Sequence, residues 1–157
     1  MQVTQTGVEL EVPTVELGRW QQHSQNDELA ALPKDHFISR DGVKFAGTHL
    51  LLDLWGAKHL DDKARIEQAM RDCVIACGAT LLHIHLHHFT PTFGVSGVAV
   101  LAESHISVHT WPERDYAAFD VFMCGDARPE NAIAVLKRAF FPERIEVIEN
   151  LRGKVHV

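Results

Sequence analysis

The chain has 157 residues, 46% of them hydrophobic, and 15 Lys and Arg against 21 Asp and Glu give a formal charge of −6. This suits one compact domain with a buried core. It argues against a phosphate-binding nucleic-acid groove, which needs clustered cations, and against a membrane helix, since no run approaches the roughly 18 apolar residues of a span. Three cysteines, an odd number, fit reduced thiols and a cytoplasmic location, and the N-terminus lacks the layout of a signal peptide.

In chain order, residues 1–46 read as an N-terminal extension, partly ordered at best. Met1 to Asp41 mixes Gln, Ser, Asn and Pro with scattered apolar residues and holds no sustained period. Within it Val8 to Val12 alternates as a short strand would, and Pro13 ends it. Residues 47–157 form the domain proper. Thr48 to Trp55 reads as a buried strand closed by Gly56. Asp61 to Cys77 then carries Ala64, Ile66, Ala69, Met70, Cys73, Val74 and Cys77 at helical spacing. Asp61 or Asp62 is placed to cap this helix, and Gly78 to end it in a left-handed conformation.

Ala79 to Leu86 returns to a strand, followed by a loop around Pro91 and Gly94. Three strands follow at Gly97 to Ala102, His105 to Thr110 and Ala117 to Met123, with connections short enough to favour antiparallel pairing. Pro129 to Phe140 has an apolar helical face, and Arg144 to Leu151 is a last strand. The order predicts an α+β fold, a two-layer sandwich of antiparallel sheet with two helices packed on one face.

Three blocks in this stretch carry chemistry. They are Gly94-Val95-Ser96-Gly97, the run Ala102 to Glu113 that contains Glu103-Ser104-His105, and Phe122-Met123-Cys124-Gly125. The hydroxyl of Ser104 adjoins the carbonyl of Glu103 and can attack it if the turn is strained, which converts the amide to an ester. β-Elimination then needs a base near residue 104, and His109 lies five residues along the same predicted strand.

These blocks, in this order and spacing, resemble the bacterial and archaeal S-adenosylmethionine decarboxylase proenzymes, and the likeness extends more loosely from about Thr48 to Gly153. The resemblance implies self-cleavage between Glu103 and Ser104, giving a β chain of residues 1–103 and an α chain of 104–157. It implies that Ser104 becomes a covalent pyruvoyl cofactor, which takes the substrate amine in a Schiff base and acts as the electron sink for decarboxylation. It gives processing roles to His109 and Ser96 and the role of proton donor to Cys124, whose thiol is mostly protonated at neutral pH. It assigns adenine stacking to Phe89 and ribose binding to Glu113. The product would be the aminopropyl donor for spermidine synthesis, and the unit a homodimer of cleaved chains.

One departure bears on substrate. An extra residue lies between Pro91 and Gly94, so either Phe89 or Phe93 could face the adenine. Relatives that decarboxylate ornithine or arginine would keep Ser104, His109 and Cys124, and would need a further carboxylate such as Glu113 or Asp115. Two readings of other classes stand beside these. His83, His85 and His87 alternate on one strand face and could hold a metal ion, or could simply be a polar face. A non-catalytic regulatory relative is disfavoured by the intact Ser96, Ser104, His109 and Cys124. Cys73 and Cys77, four apart on a helix, read as buried core thiols.

Overall fold

The computed structural model describes residues 36–155; the strand expected at Val8 to Val12 lies outside them. The first described elements are β1 (Ile38–Arg40) and β2 (Val43–Phe45), paired antiparallel as a hairpin. Its turn residues Asp41 and Gly42 have φ of 51° and 78°. Two successive positive φ values match the twist of a two-residue hairpin, which is why Asp-Gly is favoured there. Phe45 ends the hairpin fully buried.

The main sheet has six strands: β3 (Gly47–Trp55), β4 (Leu81–His88), β5 (Val95–Leu101), β6 (Ser104–Trp111), β7 (Tyr116–Cys124) and β8 (Arg144–Arg152). Their order is β4-β5-β6-β7-β3-β8, and every neighbouring pair is antiparallel. Alternation sets the two faces. Leu50, Leu52 and Leu54 of β3 share a buried face with Phe119, Val121 and Met123 of β7 and with Ile106 and Val108 of β6.

Two helices cover that face, α1 (Lys63–Cys77) and α2 (Asn131–Phe140). They add Ile66, Met70, Cys73, Leu136 and Phe140 to one continuous core with the strand residues. Asp62 caps α1 by accepting the Arg65 N–H at 3.0 Å, and Gly78 closes it at φ 72°. Cys73 and Cys77 sit in this core and donate to the carbonyls of Ala132 and Pro129. Burial pushes both thiols up, Cys77 to about 11, so they are inert packing groups. The α+β two-layer architecture is therefore the one expected.

Among the described residues no helix covers the opposite sheet face. By register it carries His49 and Asp53 of β3, His83, His85 and His87 of β4, His105, Ser107, His109 and Trp111 of β6, and Tyr116, Asp120 and Phe122 of β7. No helix of the described residues is long and apolar enough to cross a membrane.

Candidate active site

The turn between β5 and β6 consists of two residues, Ala102 and Glu103, closed by the pair Leu101 and Ser104. Glu103 has φ 60°, a left-handed conformation that costs a residue with a Cβ about 1–2 kcal/mol. The backbone is thus held in an unfavourable state at the peptide bond that precedes Ser104. Ser104 is buried, and its Oγ accepts the backbone N–H of Cys124 at 3.2 Å. The Cys124 thiol ends β7 at the same sheet end. Burial pushes its pKa up, and the Glu103 charge adds to the rise, so it stays protonated at neutral pH.

A second group lies at the other end of β6. Ser96 and His109 are register partners, and Ser96 Oγ is hydrogen-bonded to His109 Nδ1 at 2.7 Å. The glycines around Ser96 are sterically required. A Cβ at Gly94 would lie 2.7 Å from the Thr110 carbonyl, and one at Gly97 would collide with Leu86 and the His85 carbonyl. Thr110 fixes this corner from inside: its buried hydroxyl accepts the Val95 N–H at 2.8 Å and donates to the Leu60 carbonyl at 2.7 Å. Pro112–Arg114 then makes one short helical turn that carries Glu113.

Phe89, Thr92, Gly94, Ser96, His109, Trp111 and Glu113 line a cavity of about 190 Å³ here. Phe93 does not line it. The loop turns Phe93 to φ 59° and is closed by hydrogen bonds between Phe89 and Gly94 and between Phe93 and Phe89. Between the two candidate aromatics, Phe89 is the one that faces the cavity.

The structure thus brings Ser104 together with Cys124, and Ser96 and His109 together with Phe89 and Glu113. It does not bring the two groups to one place. Ser104 and His109 are five strand residues apart, about 16 Å at roughly 3.3 Å per residue, and an odd separation turns them to opposite faces. Sharing a strand therefore does not by itself bring the His109 ring within reach of Ser104.

The motif reading passed over a polar network on the open face. Ser107 donates to Asp120 at 2.7 Å, and His49 Nε2 lies 3.6 Å from the same carboxylate. Tyr116 donates to Asp53 at 2.6 Å, and its phenol is pushed up to about 12, first by burial and then by that carboxylate. Burial, then His49, holds His105 below the usual imidazole range. The period-two polar residues of β3, β6 and β7 were the signal that could have found this network. His83, His85 and His87 are exposed on edge strand β4, and among the described residues no three His, Cys, Asp or Glu side chains form a metal-holding group.

Fold and geometry together define a two-layer α+β protein with a serine–cysteine pair at one sheet end and a serine–histidine pair at the other. Residues 48–153 match the model of the S-adenosylmethionine decarboxylase family. The S-adenosylmethionine decarboxylase proenzyme of Thermomicrobium roseum is 46% identical over 114 residues, covering 72% of this chain and 98% of that protein. The proenzyme of the same description from Methanococcus maripaludis is 48% identical over 118 residues, covering 73% and 96%. The crystal structure of the adenosylmethionine decarboxylase of Aquifex aeolicus superposes with a TM-score of 0.62 at 33% identity, covering 71% of this chain and 94% of that one. The chain belongs to the S-adenosylmethionine decarboxylase family, and by that membership it is a carboxy-lyase.

Proposed function

We propose that residues 47–157 form a self-processing, pyruvoyl-dependent decarboxylase that converts S-adenosylmethionine to its decarboxylated form, the aminopropyl donor of spermidine synthesis. The observation that carries this reading is Ser104 itself. It follows a left-handed Glu103, and its Oγ is held by the Cys124 N–H at 3.2 Å. A pyruvoyl group made from Ser104 would stand at the start of β6 beside Cys124: Oγ leaves with Glu103, the Cβ becomes a methyl group and the former alpha carbon the ketone. When present, the group supplies an electron sink for loss of carbon dioxide from an amino acid.

The side chains divide the remaining work. Ser104 attacks the Glu103 carbonyl during maturation. Cys124, kept protonated by its surroundings, delivers a proton to the alpha carbon of the substrate. Phe89 offers a face to the adenine and to the sulfonium charge, and Glu113 accepts from the ribose hydroxyls. Replacing Cys124 by Ala separates the two activities, because the backbone donor to Ser104 survives. Cleavage should remain, visible as two fragments on a gel, while carbon dioxide release falls by about 10²-fold.

Separation of the two groups along β6 supports a homodimer. A second copy stacked on the open face, about a two-fold axis crossing the strands, would set the Ser96–His109 end of one protomer over the sheet end of the other, where β7 closes with Cys124 and the Glu103–Ser104 turn opens β6. The rings on that face suit burial: Trp55 stacks on Tyr116 at 4.4 Å, and Trp111 on Tyr116 at 5.2 Å. The acidic net charge supports a small-molecule substrate over a nucleic acid. Three free thiols support a cytoplasmic setting. The deciding experiment measures labelled carbon dioxide from S-adenosylmethionine, ornithine and arginine in parallel. Release from S-adenosylmethionine alone is expected; release from an amino acid alone would overturn the substrate assignment.

A further inference from the structure

We propose that His36, contributed by the segment preceding the family-matched region, is a positioning residue for self-cleavage and clamps Glu103 through its side chain. The inference rests on the reading of Ser104 as the self-cleaving residue. His36 Nδ1 lies 2.8 Å from Glu103 Oε2. The His36 carbonyl accepts the Gly125 N–H at 3.2 Å. Gly125 follows Cys124, whose own N–H donates to Ser104 Oγ. These contacts close a ring through Glu103, Ser104, Cys124, Gly125 and His36, with the scissile peptide bond as one of its links.

The ring has a physical purpose. In the first step Ser104 Oγ adds to the Glu103 carbonyl carbon, the Glu103–Ser104 C–N bond breaks, and an ester C–O bond forms. The freed nitrogen keeps its own hydrogen and gains the hydroxyl proton. The direction of that carbonyl depends on the backbone of Glu103, which sits at φ 60°, where a side-chain anchor opposes relaxation to an ordinary conformation. His36 provides the anchor and is itself tied to the far side of the ring by its carbonyl. The family match begins at Thr48, so this part of the site comes from the flanking segment.

The test follows the rate at which the full-length chain splits after cell-free synthesis. His36→Ala should slow splitting by about fivefold, the scale of a partly exposed pair. His36→Asn, which keeps a donor near the Nδ1 position, should return it to within about twofold. Glu103→Ala should slow it too, and adding His36→Ala should slow it no further. Arg40→Ala, in the hairpin that follows His36, breaks the 2.8 Å pair with Glu149 of β8 and should stay within about twofold of the parent. An unchanged rate in His36→Ala, an equal loss in Arg40→Ala, or multiplying losses at 36 and 103 would overturn the proposal. A parent chain that never splits would instead overturn the reading of Ser104, and the proposal with it.

Discussion

Ser104→Ala is expected to remain one uncut polypeptide with no decarboxylase activity. The substitution removes the nucleophile and leaves the turn in place, because Glu103 keeps its left-handed backbone and Ala102 keeps its 2.9 Å bond to the Thr80 carbonyl. The side chain lost is small, and the hydrogen bond lost at Cys124 costs about 1 kcal/mol, so the fold survives. Intact-mass spectrometry gives the answer directly. The parent should yield two fragments divided between Glu103 and Ser104, and the variant a single mass. An active, uncut Ser104→Ala protein would overturn the whole account.

The second large effect concerns where the base resides. His109→Ala alone should split about 10²-fold more slowly than the parent. Made together with Ser104→Ala, it should recover. In a mixed dimer the His109→Ala chain offers an intact Ser104, and its partner offers an intact His109. With a size tag on one variant, only the His109→Ala polypeptide should appear cut. The separation of about 16 Å along β6 makes this expectation specific. Failure to recover would mean that each protomer processes itself, and stacking of the open faces would lose its main support.

Much of the architecture was legible in the chain, for identifiable reasons. The 3.6-residue period of Ile66, Met70, Cys73 and Cys77, with Asp62 before it and Gly78 after it, fixed α1 almost to the residue. The largely apolar run from Thr48 to Trp55, closed by Gly56, announced β3. The β1–β2 hairpin was missed although Asp41-Gly42 is a strong turn signal, because its three-residue strands are too short to establish a period. Sheet order was out of reach as well: β3 lies between β7 and β8, a placement set by non-local pairing.

The candidate site was legible in composition and illegible in arrangement. Local blocks singled out Ser96, Ser104, His109 and Cys124, but adjacency in sequence suggested a closeness between Ser104 and His109 that strand geometry denies. The loop at Phe93 shows the opposite case. The sequence left Phe89 and Phe93 as equal candidates for the pocket, and in the fold Phe93 takes a left-handed backbone while Phe89 lines the cavity.

Strand order has a last consequence for the matured molecule. A cut after Glu103 would put β1 to β5 and α1 on one fragment and β6 to β8 and α2 on the other. In the sheet, however, β3 of the first fragment is wedged between β7 and β8 of the second, while β5 borders β6. The pieces are interlaced, so neither could leave without dismantling the sheet. Refolding would then require two strangers to meet in solution, which makes recovery from denaturation dilution-sensitive and turns maturation into a one-way gate.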